Sequence, residues 1–152
     1  MGPPISYKEY PMKEIHGLVN LVSLIPAATY AADNTPAAAN LIGFEAAEIA
    51  LEIGAGGITF DSTNKIEFKL THSDDDSTYT AVESSDLVGA PEVGTGGIIK
   101  SLVAAHAAAT VEQFGYIGGK PYVKLLADFS GTHGTGTPIA AQVIKGRPHL
   151  VG

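Results

Sequence analysis

The stretch THSDDDSTYT, residues 71 to 80, sets a histidine and three consecutive aspartates among hydroxylated residues. These are the side-chain types that bind a hard cation, and an EF-hand loop is the pattern to test. Such a loop needs oxygen ligands at alternating positions, a glycine at the sixth and a bidentate glutamate at the twelfth. Counted from Asp74, those two positions hold Tyr79 and Ser85. Consecutive aspartates on an extended backbone also point in different directions. Asp, Ser and Thr close turns through side-chain to backbone hydrogen bonds, so the stretch reads as the polar tip of a hairpin.

A second stretch, SGTHGTGTP at residues 130 to 138, brings Ser130 and His133 close to Asp128, the residue types of a hydrolase triad. It lacks the Gly-x-Ser-x-Gly elbow, and three such residues within six positions seldom converge. It also lacks the lysine of a phosphate-binding P-loop. It reads as a glycine-rich connection between strands. The histidines, His16, His72, His106, His133 and His149, form no His-x-x-x-His or His-Glu-x-x-His pair. Glu48 and Glu52 share the solvent face of a strand, not the desolvated cleft that acid/base catalysis requires. The expectation is a chain that is not an enzyme, with no catalytic residues, no cofactor and no metal site.

The elements that carry these residues are strands. In NKIEFKLTHS, Ile66, Phe68 and Leu70 alternate with Lys65, Glu67, Lys69 and Thr71, a period of two. TYTAVE supplies an antiparallel partner across the acidic tip. AAEIALEIGA alternates Ile49, Leu51 and Ile53 with Glu48, Ala50 and Glu52, and its stop at Gly54 favours a strand over a helix. In PYVKLLADF, Val123, Leu125, Ala127 and Phe129 share a face. LIPAATYAAD, PAAANLIGF, GGIIKSLVA and TPIAAQVIKG read as further short strands. The alanine-rich segment 104 to 109 has the propensity for one helical turn, which His106 and flanking β-branched residues oppose. Turn signals recur about every ten residues, the rhythm of an all-β domain, a β-sandwich or a jelly-roll-like fold.

Composition agrees. The 152 residues include 18 Gly, 9 Pro, no Cys and no Trp, with 45% hydrophobic and 16% charged residues. That is enough apolar material for one core without disulfides. The formal net charge of −7 and the lack of a basic cluster speak against nucleic-acid binding, whose affinity rests on phosphate neutralisation. No stretch reaches the length of a membrane span, and the short apolar patch from Leu18 to Ala28 is not preceded by the basic region of a signal peptide.

Residues 1–20 show no clean period and contain Pro3, Pro4 and Pro11. They read as an extended N-terminal arm ahead of a β-sandwich domain at 21–152. The interspersed Ile5, Tyr7, Tyr10, Met12 and Ile15 suit an arm that docks on a partner, because disordered tails seldom keep so many apolar anchors.

Two stretches, NKIEFKLTHSDDDSTYTAV and FGYIGGKPYVKLLADFSGTHGTGTPIAAQVIKGRPH, resemble small virion structural proteins of tailed bacteriophages. The resemblance spans about residues 40 to 150 and rests on structural motifs. It implies a capsid cement (decoration) protein, bound to the major capsid protein on the outside of the shell. It further implies a homotrimer at three-fold or quasi-three-fold positions, assembled in the host cytoplasm, with no nucleic-acid or membrane partner. Two other roles fit the same reading: a head-tail joining or tail-tube subunit, and a glycan-binding virion surface domain. The scarcity of aromatic residues weighs against the last.

Overall fold

The computed structural model describes residues 2–3, 12–89 and 92–149. Ten strands follow one another: β1 (Val19–Tyr30), β2 (Ala39–Asn40), β3 (Phe44–Ile53), β4 (Lys65–Ser73), β5 (Thr80–Ala81), β6 (Leu87–Val88), β7 (Ile98–Leu102), β8 (Thr110–Tyr116), β9 (Tyr122–Ser130) and β10 (Thr137–Pro148). One sheet has the order β1-β10-β3-β8-β6. The other has the order β2-β9-β4-β5, with β7 also paired to β4. Every pairing between these strands is antiparallel, and the two sheets pack as a β-sandwich.

Alternation decides what lies between the sheets. Ile66, Phe68 and Leu70 of β4 face inward beside Leu125 and Ala127 of β9, and all five are fully buried. From the first sheet come Ile49, Leu51 and Ile53 of β3 and Ile139, Ala141 and Val143 of β10, locked in register from Ile139↔Ile53 to Val143↔Ile49. A slip of one residue would turn every one of these side chains outward, so the pattern fixes the pairing.

β1 departs from strict alternation. Its register against β10 shifts between Ser23 and Ile25 and again between Ile25 and Ala28. The bulge lets two consecutive residues, Leu24 and Ile25, both reach the core. Pro26 follows at once, where a sheet-edge strand tolerates the missing N–H. Two glycines are dictated by close approach. Gly97 (φ 82–84 with its neighbour Gly96) carries no Cβ because one would collide with the Leu70 carbonyl, and Gly136 is pressed in the same way on Tyr30.

Two expectations change, and one propensity is not realised. β1 starts at Val19, so the last two residues assigned to the arm belong to the sheet. The region around residues 37 to 42 contributes only the two-residue β2. Segment 104–109 has no helical turn and instead lies against the end of β3, where Gly56 N–H donates to His106 O at 2.8 Å. The bulky neighbours beat alanine's intrinsic propensity.

Candidate interaction surface

The acidic tip is a turn built by one carboxylate. Asp75 Oδ1 accepts from the backbone N–H of Ser77 (2.9 Å) and Thr78 (2.8 Å) and from the Ser73 hydroxyl (2.9 Å). Those donors, the backbone ones first, hold the Asp75 carboxyl below its ordinary value. Asp76 takes the left-handed conformation (φ 57) and accepts from the Tyr79 hydroxyl, while Asp74 turns to Lys120 at 3.5 Å. The three side chains diverge. Among the described residues no group of three His, Asp or Glu side chains is placed to hold a metal ion.

The would-be triad is not assembled either. His133 is buried against Phe60 and Phe129, its Nε2 lies 2.8 Å from the backbone carbonyl of Ser130, and Asp128 is on the outer face paired with Lys69. His72 points inward instead of joining the acidic tip. Its Nδ1 meets the Tyr116 hydroxyl at 2.9 Å, which ties β4 in one sheet to β8 in the other, and its Nε2 lies 4.0 Å from Asp86. Burial lowers the imidazole's proton affinity, and the Asp86 charge only partly opposes that.

Two further buried polar groups carry structural tasks. Asn34 reaches across to β9 beyond the short β2. Its Nδ2 donates to Leu125 O at 3.2 Å and its Oδ1 accepts from Ala127 N–H at 2.7 Å. Asp33 does the same for Phe129 N–H at 2.7 Å. Side chains thus stand in for a neighbouring strand and blunt this sheet edge. Lys145 faces inward on β10, donates to Asn40 O at 3.1 Å and sits over the Phe44 ring at 4.6 Å.

What remains for a partner is the outside of the sandwich, and its two faces differ in kind. The outer face of the β4–β9 sheet is charged and internally paired. Lys65 meets Glu67 at 2.6 Å, Lys69 pairs with Asp128, and Lys124 lies over the Tyr79 ring at 4.1 Å. The bond to Asp128 raises the Lys69 ammonium above its ordinary value. The outer face of the β1–β10–β3–β8 sheet is made of small and apolar side chains. Register places Leu21 beside Ile144, Gln142 beside Ala50, and Ala140 beside Glu52, which is followed by Val111. Leu21 and Val111 are 54% and 63% exposed, far more than a core-forming residue would be. Two adjoining hollows of about 640 and 230 Å³ lie on this face and share Ala27, Glu52 and Ala140. Glu48 and Glu52 are its carboxylates, and neither makes an ion pair among the described residues.

Of the arm anchors expected from sequence, Ile5, Tyr7 and Tyr10 lie outside the described residues. Met12 and Ile15 are 100% and 64% exposed and touch no core. Leu18, which sequence reasoning passed over, is 55% exposed and extends the same series to Leu21 with a spacing of three. Among the described residues no helix is long and apolar enough to cross a membrane.

No protein-family model matches the chain, and no curated protein matches it. Among solved structures, the chain is similar to the crystal structure of the SPBc2 prophage-derived protein YomS, with 14% sequence identity, a TM-score of 0.43, and coverage of 84% of this chain and 92% of that one.

Proposed function

We propose that the chain is a structural protein of a tailed-phage virion, a cement protein that sits on the outside of the capsid shell and stabilises it. The observation that carries this reading is the contrast between the two faces of the sandwich. A protein that serves as an independent soluble domain has no use for one self-neutralised face and one broad face of exposed Leu, Val and Ala. A subunit held between a surface and solvent uses both. In this reading the apolar face and the exposed residues of the arm meet the major capsid protein or neighbouring copies, and the ion-paired face is turned to water. Contacts of modest strength gain force when repeated around a symmetric shell, so a homotrimer at three-fold positions can brace the lattice without any one tight interface. The resemblance of segments 64–82 and 114–149 to small virion proteins supports the same role.

The test is cryo-electron microscopy of virions from the cells that carry the gene, beside virions from a deletion strain. The expected result is density for the sandwich on the outer shell, absent in the deletion, and deletion particles that rupture at milder heating. Density at the neck or in the tail would replace the cement role with that of a ring-forming joining or tube subunit. Absence from the particle would remove the virion role altogether.

A further inference from the structure

The Tyr116 hydroxyl is approached from both sheets and from its own loop. Residues 117 to 120 turn back over the Tyr116 ring, and Gly118 allows this because a Cβ there would lie 2.7 to 2.9 Å from the ring and hydroxyl atoms. Lys120 N–H then donates to the hydroxyl oxygen at 3.1 Å, and the Lys120 carbonyl lies 3.5 Å from it. From the other sheet comes His72 Nδ1 at 2.9 Å. The second ring nitrogen, Nε2, faces Asp86 at 4.0 Å. Asp86 is itself held in place. Its carboxylate accepts from Glu83 N–H at 2.8 Å, and its carbonyl accepts from Ile117 N–H, at the start of the same loop, at 2.7 Å.

Counting donors and acceptors assigns the protons. A tyrosine hydroxyl has one proton to give and two lone pairs to offer. Lys120 N–H takes one lone pair. The proton goes to His72 Nδ1 at 2.9 Å, because the Lys120 carbonyl at 3.5 Å stands at the limit of a hydrogen bond. Nε2 then carries the imidazole's own proton and turns it towards Asp86, whereas the other tautomer sets a lone pair against a carboxylate. Uptake of a second proton, at Nδ1, reverses the first bond. The new Nδ1–H donates to the remaining lone pair of the hydroxyl, and the hydroxyl proton passes to the Lys120 carbonyl. Both charge states leave every group in this chain of bonds with a partner.

We infer that His72, Tyr116 and the Lys120 carbonyl form a reversible hydrogen-bond relay, through which proton uptake at the imidazole draws the 117–120 loop and Asp86 inward. The charged groups facing His72 are Asp86 and Glu83 at the 3-10 turn Ser84–Asp86, Asp74 on the acidic tip, and Lys120 in the loop. Its paired strand neighbours, Val123 of β9 and Thr80 of β5, carry no charge. The three carboxylates favour the imidazolium and Lys120 opposes it, while burial sets the change below the ordinary histidine range. The two moving parts respond as one, because the Asp86 carbonyl is bonded to Ile117 N–H. Ile117, Gly119 and Lys120 also line a hollow of about 480 Å³, so the relay alters its wall. The device is separate from any role in a virion and stands or falls without it.

Imidazole and carbonyl NMR of the full, isotope-labelled chain, taken from neutral to mildly acid solution, tests it. At neutral pH His72 should show a bare Nδ1 and a protonated Nε2. In acid both nitrogens should be protonated with the fold retained, and the Lys120 carbonyl resonance should shift with the same midpoint. Tyr116→Phe keeps the ring and removes the relay, so His72 should still titrate while the Lys120 carbonyl stays where it is. Asp86→Asn keeps an acceptor for Glu83 N–H and removes the charge. The proton affinity of His72 should then fall at least about fivefold, the effect of two unit charges at the observed 4.0 Å even at the dielectric constant of water. If Tyr116→Phe departs from wild type by circular dichroism, the wild-type tautomer and the Asp86→Asn titration decide. A proton on Nδ1 alone at neutral pH overturns the inference, as does unfolding that accompanies protonation of His72, or an affinity unchanged in Asp86→Asn. A Lys120 carbonyl that follows His72 equally in wild type and Tyr116→Phe overturns it too, since the coupling then bypasses the hydroxyl.

Discussion

Removing the side chain of Asn34 isolates one structural device and puts a number on it. Asn34 is 7% exposed, and its amide satisfies both the Leu125 carbonyl and the Ala127 N–H on the edge of β9 that β2 is too short to cover. Asn34→Ala leaves a buried donor and a buried acceptor without partners, and each such group costs about 1 to 3 kcal/mol. Allowing for partial hydration at a sheet edge, the sum is about 2 to 5 kcal/mol. For a chain of this length that corresponds to a melting temperature lower by about 5 to 15 °C. Urea unfolding followed by circular dichroism measures it, and an unchanged m-value shows that the two end states are the same. Amide exchange should speed up at Ala127 more than at Leu70 or Ile49, which lie deep in the sheets. Asn34→Asp sharpens the test, because a carboxylate keeps the acceptor for Ala127 N–H but turns a second acceptor on the Leu125 carbonyl. It should therefore be no more stable than the alanine variant. A loss below about half a kcal/mol in Asn34→Ala, the scale of ordinary surface changes, would refute the claim that this side chain replaces a strand.

Truncating Phe68 or Leu125 to Ala should cost about 2 to 5 kcal/mol in the same urea assay, because each side chain is fully buried between the sheets and leaves a cavity. His72 gives a pH dependence whose sign follows from burial. Its folded pKa lies below the ordinary 6.5, so the unfolded chain takes up a proton that the folded chain resists. Stability is unaffected by this group above about pH 6.5, falls as the pH drops below it, and levels off beneath the folded pKa. His72→Gln should flatten that part of the curve measured between neutral pH and mildly acid solution, and an unchanged curve would show that another group carries the sensitivity.

Strands with strict alternation were legible from sequence because their burial needs no partner to be specified. The faces of β4 (Ile66, Phe68, Leu70), β3 (Ile49, Leu51, Ile53) and the stretch Val123 to Ala127 all stand as the period of two places them. The acidic stretch was legible as a turn for a related reason, since Asp75 bonds only to residues within three positions of itself. β1 was not, because its bulges set Leu24 and Ile25 on the same side and break the period. The work of Asn34 was invisible, because its partners lie more than ninety residues along the chain. The same holds for His72 and Tyr116, which meet only once the two sheets are stacked. As for the apolar face, the alternation of Glu52 with Leu51 and Ile53 shows which residues leave the core. That they fall into line with Leu21, Ala140 and Val111 is a matter of register among four strands.

That register bears on how an acidic chain can associate with copies of itself. A net charge of −7 suggests self-repulsion, but its distribution matters more than its sum. On the β4–β9 face the carboxylates of Glu67 and Asp128 are neutralised by Lys65 and Lys69. Lys100 and Glu112 pair at 2.8 Å from β7 to β8, bridging the two sheets. Much of the unbalanced charge is left in loops, at Asp61, Asp75 and Asp76. On the apolar face only Glu48 and Glu52 remain, four residues and about 13 Å apart along the strand. That spacing exceeds the screening length of about 8 Å at physiological salt, so a neighbour approaching the hollow meets Glu52 nearly alone. A single unpaired carboxylate on an apolar floor does little to repel and much to orient, because only a neighbour that brings a cation to that point avoids leaving the charge buried without a partner.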